Sequence, residues 1–510
     1  MSALPTLTRP AGGTTRRSAC APDADAPGVK DAPDSDAPGA STGPGLELVF
    51  TAIFALFGWV AGTSRLSDNS FFWHLRTGEW ILDHGRVPQH DVFSFTAPGT
   101  KWVAQSWLAE VIYGALNRSV GAFGIRAFLG VTGVAIAVLV YRLALRLCRS
   151  PLRASGIAAV ALACVFSLWS ERPLILGLLF LVVLLWVVEV PDCFVGRHPL
   201  VVIPVLMWLW VNVHGSFALG FAYLGLHLIG RWVEGLPPWA GRERAITIGT
   251  AIAFAVTFVN PYGVSLVLFP INLLSRGEIL SQVIEWQSPD FRSTWGIALG
   301  LWICLFIAAV ACGAHRVSRR DLIVAVPMLL LALWALRNIA IAPLVGLPVV
   351  ARAFAIDTRA PARYGRAFIV AATAAIVAVG LMVGVTAAGE RDFAFDSYPV
   401  RSLRYVAEHD LLGSRMFTDD ADAGYVILRY APEQPVFMDD RYDMYPTDVI
   451  DDYFTVSEGK PGWSRVLERH DVDVVVWPRD SALSSLLAQS DVWERVQRDK
   501  TYEVWVRQVV

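Results

Sequence analysis

Residues 68–114 read DNSFFWHLRTGEWILDHGRVPQHDVFSFTAPGTKWVAQSWLAEVIYG, between an apolar segment that ends near Ala61 and another that starts near Gly121. Asp68, His74, Glu79, Asp91, Lys101 and Glu110 stand there among Trp, Phe and Tyr side chains. A plain connector between two membrane spans needs none of these groups. A loop this long is expected to be functional or folded in its own right.

The rest of the chain supplies the membrane. Of its 510 residues 55% are hydrophobic and 17% charged, and many apolar runs reach the roughly 20 residues needed to cross about 30 Å of hydrocarbon. The class expected is a polytopic α-helical membrane protein. A net charge of -2 shows no basic excess and argues against a nucleic-acid partner. Residues 1–45, rich in Ala, Pro, Gly, Asp, Ser and Thr, hold too little apolar surface to fold alone and read as a disordered cytoplasmic tail. Arg16-Arg17 imitates a twin-arginine signal, yet no apolar stretch follows closely, so 46–61 reads as a retained first span.

Apolar runs recur at 122–146, 153–169, 172–190, 199–213, 216–234, 243–259, 295–314, 321–336, 338–354 and 366–386. With the first span they predict about eleven transmembrane helices within 46–390 and a large first external loop, 63–120. The stretch 104–118 is helical in pattern, but it is brief and holds Glu110 and Asn117; it is expected to lie on the membrane surface or to be re-entrant.

Basic residues cluster at Arg142, Arg146, Arg149 and Arg153, at Arg197, at Arg231, Arg242 and Arg244, at Arg316, Arg319 and Arg320, and at Arg352, Arg359, Arg363 and Arg366. These are alternate connections, so all are cytoplasmic together under the positive-inside rule. The remaining connections then face outward: 63–120, Glu171 to Pro173, His214-Gly215, 260–294, Arg337-Asn338 and everything after about 387. Every polar motif falls on that one face, which points to an extracytoplasmic site in a multi-pass protein of the cell membrane.

From 391 to 510 the pattern changes. GSRMFT, PVFMD, VDVVVWP and YEVWVR read as strands, and 399–411, 446–457, 462–469 and 481–489 as helices, a small soluble α/β domain outside the cytoplasm. The six cysteines avoid both the 63–120 loop and this domain, so neither a disulfide framework nor a Cys-based zinc site is indicated.

A first span followed at once by an acid, a large first external loop, many further spans and an exterior C-terminal domain resemble the GT-C superfamily of membrane glycosyltransferases. The text from Asp68 to Gly114, together with GYVILRYAPEQPVFMDDRYDMYP at 424–446, is similar to uncharacterised bacterial GT-C-like membrane proteins. The resemblance covers the chain from about 46 onward. It implies transfer of a sugar, with inversion, from a polyprenyl-phosphate donor to an extracytoplasmic glycan, lipid or protein acceptor in the cell envelope.

Such a transfer needs a base for the acceptor hydroxyl and a cation for the departing phosphate. By the resemblance, Asp68 is the general base; read alone, it is also a good N-cap for a helix starting near Ser70. Asp91 resembles the second acid of such loops, orienting substrate or holding a metal, or is a turn residue after Pro88. His74, Glu79, His84 and His90 suggest metal ligands, but their spacing matches no closed zinc pattern; His74 and Glu79 also fit an amphipathic interfacial helix whose Trp73, Leu75 and Trp80 face lipid or protein. Because some GT-C enzymes need one, a divalent metal cation stays an open expectation.

For the phosphate the candidates are Arg337, which interrupts ALWALRNIAIAPLVGLP, then Arg172 and Lys101, since guanidinium grips phosphate through two hydrogen bonds. The other reading of Arg337 is a snorkelling side chain or a partner of Glu285. Trp102, His214, Glu285 and Trp286 are candidates for the sugar or acceptor, an indole face suiting the apolar side of a pyranose. Asp439, Asp440, Arg441, Asp443 and Tyr445 form a polar loop fit for hydroxyl-rich acceptors or Ca²⁺, or simply a solvated turn. A transporter or lipid flippase, which calls for repeated halves that are not evident, and an inactive GT-C-like scaffold are the competing functions.

Overall fold

In the computed structural model, residues 45–167, 169–356, 364–390 and 392–508 are described; the expected N-terminal tail, Arg359 and Arg363 fall outside them. A helix stands at each expected apolar segment. In order these are α1 (Leu46–Gly62), α4 (Ala122–Cys148), α5 (Pro151–Ser167), α6 (Leu174–Glu189), Pro199–Val213, Phe217–Val233, Gly241–Val256, Thr294–Cys312, Arg319–Trp334, Ile341–Ala353 and Arg366–Gly389, and between α1 and α4 lie α2 (Asn69–His84) and α3 (Trp107–Val120). Segments 122–148, 294–312, 336–353 and 366–389 are each long and apolar enough to cross a membrane, and five shorter apolar helices accompany them.

Close packing among these helices comes from small residues, as it does where apolar burial alone gives helices no preference for one another. A Cβ on Gly58 would lie 2.3 Å from the Gly133 carbonyl, and one on Gly62 would lie 2.4 Å from that of Leu129, so α1 rests backbone-to-backbone on α4. The external loop repeats the device. A Cβ on Gly78 would stand 1.8 Å from the Glu110 oxygen, which locks α2 across α3. At 14 residues, α3 is only about 21 Å long, too short to span.

The faces of α2 meet protein: Phe71, Phe72, Trp73, His74 and Leu75 are all buried. Its outer partner is the helix Asp420–Tyr430, whose Gly424 touches it so closely that a Cβ would be 2.1 Å from the Asn69 oxygen.

The C-terminal part holds a four-stranded sheet of β1 (Met416–Thr418), β2 (Val474–Pro478), β3 (Trp493–Arg498) and β4 (Tyr502–Arg507), in the order β1-β2-β4-β3. β1 and β2 are parallel, with Phe417 beside Val475; β4 is antiparallel to both β2 and β3. PVFMD is a correction to the sequence reading. It is not a strand of this sheet but makes isolated bridges from Val436 to Ser94 and to Met416, because the external loop and β1 flank it with one short backbone contact each. The Val436 nitrogen donates to Phe93, and its carbonyl accepts from Phe95. This docking leaves Pro44–Val510 as a single compact unit.

Candidate active site

Beyond α1 the chain turns through 63–67 to Asp68, which caps α2 by accepting from the Phe71 nitrogen at 3.0 Å. The same carboxylate takes both of its oxygens to Arg172, on the α5–α6 connection, at 2.9 and 3.0 Å. Capping and ion pairing coexist. A second arm of Arg172 donates to Glu285 at 2.5 Å, in the 3₁₀ turn Ile284–Trp286. Next to that turn, the Leu336 nitrogen donates to the Gln287 carbonyl at 2.9 Å, setting Arg337 4.5 Å from the centre of the Trp286 ring. Glu285 is therefore committed to Arg172. Arg337 stacks on an indole and makes no ion pair among the described residues.

His214 is buried at the end of Pro199–Val213 and accepts from the Ser216 nitrogen at 3.0 Å. Burial, with Arg337 and Arg172 nearby, pushes its imidazole down to about 3, so it is neutral at physiological pH. Five of the expected site residues thus converge: Asp68, Arg172, Glu285, Arg337 and His214, with Trp286 as a platform.

Several expected roles are corrected by position. Asp91 is wholly buried and pairs with Arg441 at 2.8 Å; its remaining lone pairs receive the Ser94 nitrogen and hydroxyl at 2.8 and 2.6 Å. No edge of it is left for substrate or metal. Trp102 is 2% exposed and lies under the Arg441 guanidinium at 4.4 Å, so it offers no face to a sugar. Lys101 is exposed and reaches Ser265 at 3.3 Å, apart from the arginine pair. The 439–445 loop is not solvated. Asp439, Arg441 and Tyr445 are buried, and Asp440 accepts from Ser70, from Trp73 at 2.6 Å and from Asn69 at 3.3 Å, its carboxyl pushed up to about 7 by burial against the pull of Arg172.

The proposed metal ligands disperse. His74 pairs with Glu110 at 2.7 Å, and burial drives the acid up and the imidazole down, which favours a neutral pair. Glu79 is held by Arg76 at 3.0 Å and Asn117 at 2.8 Å, and His90 is exposed. No three His, Cys, Asp or Glu are grouped to hold a metal among the described residues. The carboxylates that a cation would bridge, Asp68 and Glu285, are already bridged by Arg172. The residues present do not fit a divalent cation.

A cavity of about 620 Å³ opens beside Asp68. Arg172 and Glu171 line it from the membrane side, and Asp419, Asp422 and Tyr502 from the C-terminal part. Two features here were missed in sequence. Burial and the charge of Asp68 push Glu171 up to about 7, and its only sequence signal is adjacency to Arg172 in a short outward connection. Asp419 and Asp422 begin the helix Asp420–Tyr430, where acids usually serve the helix dipole, so nothing in their spacing marked them.

No family model matches the sequence, and no curated protein matches it. Solved structures do. ArnT from Cupriavidus metallidurans in the apo state aligns at 14% identity over 90% of this chain and 97% of that one, with a TM-score of 0.51. The oligosaccharyltransferase AglB from Archaeoglobus fulgidus, solved in complex with an inhibitory peptide and a dolichol-phosphate, aligns at 12% identity over 84% of this chain and 69% of that one, with a TM-score of 0.50. The chain has a GT-C-like fold. Its apo archaeal counterpart gives the same TM-score, 0.50, at 12% identity. In this GT-C-like fold the arginines and Asp68 gather where the helical part meets the α/β part.

Proposed function

We propose that the protein is a multi-pass membrane glycosyltransferase that moves a sugar from a polyprenyl-phosphate donor to an extracytoplasmic acceptor hydroxyl. The observation that carries this reading is Arg337, a guanidinium with an aromatic platform and no ion-pair partner among the described residues, placed beside the Arg172–Asp68 pair. The acid that acts most strongly on Arg337, Glu285, is itself paired with Arg172, so a ligand anion would complete the site, and a phosphate matches the two-donor geometry of a guanidinium. The fold shared with an enzyme solved in complex with a dolichol-phosphate is consistent with that ligand. The outward placement of the site, about eleven spans and a cytoplasmic N-terminus belong to the same proposal and rest on the arginine clusters.

The reaction then runs as an in-line displacement. The acceptor oxygen attacks the anomeric carbon, the bond from that carbon to the phosphate oxygen breaks, and polyprenyl phosphate leaves with the electron pair. Arg337 and Arg172 stabilise the charge that grows on the phosphate. As Arg172 turns toward it, Asp68 is released from its ion pair and takes the acceptor proton. Neutral His214 adds no competing positive charge and keeps an imidazole edge available for hydrogen bonding.

The test is turnover by the purified full chain, in lipid nanodiscs, of a panel of polyprenyl-phosphate-linked hexoses. Release of polyprenyl phosphate is expected, by transfer or slow hydrolysis. Failure of any such lipid to bind or react would overturn the reading.

A further inference from the structure

The wall of the 620 Å³ cavity that faces the membrane helices carries Arg65 and Arg172 beside Asp68 and Glu171, whereas the opposite wall carries Asp419 and Asp422 with no basic residue among its lining. On that wall Asp422 is 4% exposed. Its Oδ1 accepts from the Tyr502 hydroxyl at 3.2 Å, and its Oδ2 is a buried oxygen with no hydrogen-bond partner among the described residues. A buried carboxyl oxygen is almost always bonded, and leaving one unmet is expensive. Burial and Asp419 nearby push this carboxyl up to about 8, so at neutral pH it is mostly a neutral acid, able to give as well as accept a hydrogen bond. Asp419 lines the same wall, and Trp169 lines the cavity with its indole N–H also unpartnered among the described residues.

The charges near this wall decide the ligand. Arg65 lines the cavity but is drawn to the Phe393 carbonyl at 2.6 Å and to Asp396 at 3.6 Å, and Arg172, paired with Asp68 and Glu285 in the free protein, is the cation assigned above to the donor phosphate. Asp419 on the same wall would repel an anion, while Asp422, as a neutral acid, exchanges hydrogen bonds with hydroxyl groups.

We propose that Asp422, set by Tyr502 and flanked by Asp419 and Trp169, forms the acceptor subsite, and that it takes a neutral or amino sugar rather than an anionic one. This rests on the glycosyltransferase reading, whose donor half lies at Arg337 and Arg172. Hydroxyl or ammonium hydrogens of the sugar satisfy Oδ2, while the indole supplies an apolar surface for the ring. The subsite thereby presents a hydroxyl toward Asp68 across the cavity that both acids line.

Ligand-observed saturation-transfer NMR on the full chain in nanodiscs separates the two readings without requiring turnover. The probes are methyl glucoside, methyl glucosaminide and methyl glucuronide. The first two are expected to receive saturation and the third not. Asp422→Ala is expected to weaken binding about fivefold, the scale of one lost hydrogen bond, and Tyr502→Phe, which keeps the packing, to weaken it less. Equal signals from all three glycosides, or signals unchanged in both variants, would overturn the subsite. Donor-lipid turnover is measured separately on the unaltered protein: turnover without Asp422-dependent glycoside binding removes this inference alone, and Asp422-dependent glycoside binding without donor turnover removes the transferase reading and with it the acceptor role, leaving a sugar-binding site.

Discussion

Helix α6 carries buried charge at both ends, and the two ends are built differently. Before its start, Arg172 and Glu171 stand at the cavity. At its finish, Glu189 receives Arg320, Arg352 and the Tyr223 hydroxyl, the last at 2.7 Å. Asp321 takes the same two arginines at 2.9 and 3.0 Å, and His227 joins Glu243 at 2.9 Å. Each of these side chains has its buried polar atoms paired, and among the described residues the one unmet atom beside them is the Nε of Arg242, whose other nitrogens donate to the Val187 and Val188 carbonyls. At the other end, among the described residues, Arg337 has no ion-pair partner and Asp422 and Glu110 each leave an oxygen unmet, and Asp422 lines a cavity together with Arg172 and Glu171. A closed network needs nothing from outside and ties helices together. An open one costs stability in the free protein unless a ligand completes it, which is why the open end is the one proposed as the site and the closed end is assigned as a clasp.

Substitutions can break this contrast. The largest effects are expected from Asp68→Asn and Glu189→Ala, in different measurements. Asp68→Asn keeps the helix cap, since Asn caps as well as Asp, but removes the base, and transfer should fall about 10²–10⁴-fold with little change in thermal unfolding. Glu189→Ala leaves Arg320 and Arg352 buried without their counter-charge and should cost about 3–5 kcal/mol of stability. If the first variant unfolds and the second is merely slow, the assignment of site and clasp is reversed.

Arg337 sharpens the same comparison at smaller scale. Arg337→Ala should slow donor turnover by about 10²-fold, the scale of one lost charge-stabilising contact, whereas Arg337→Lys keeps the charge, loses the paired donors and should sit between. Equal rates for the two variants would make Arg337 a structural stacking partner of Trp286. Stability should be nearly untouched in both, because no ion pair is broken.

The smallest expected effect is a pH slope. Glu171 titrates near 7 in the folded protein, against 4.5 ordinarily, so the folded state binds more protons than the unfolded state between those values. Its contribution to stability is full below about 4.5 and is lost as pH rises through 7, on the order of 1–3 kcal/mol. Thermal unfolding followed from pH 5 to 8 should show the slope, and Glu171→Gln should flatten it. A slope unchanged in that variant would place its origin elsewhere, with Asp440 and Asp422 the next groups to test.

The helical part of the fold was legible because apolar length is a local property: each run of spanning length in the text became a helix. Asp68 and Arg172 stood out for a similar reason, being charges at the edges of apolar runs, but their pairing with each other left no trace in the sequence. Asp91 and Trp102 misled. Each looked available in its own loop, and the group that occupies both, Arg441, comes from a distant turn with no local trace in 68–114. PVFMD misled in the same way, since its flanking partners, Ser94 and Met416, lie in separate parts of the chain. Asp422 was invisible because its meaning lies in an unmet oxygen, and composition carries no information about satisfaction.

The Asp440 contacts have a consequence in time. Asn69 and Ser70, at the start of the helix that Asp68 caps, find their carboxylate partner 371 and 370 residues later, and Gly424 meets Asn69 from 355 residues away. During synthesis the amino-terminal end of this helix emerges early and waits for nearly the whole chain before its contacts exist. The start of the helix that Asp68 caps is therefore made early and completed late, so a ribosome-bound chain still short of Asp440 lacks the contacts of Asn69 and Ser70 beside it.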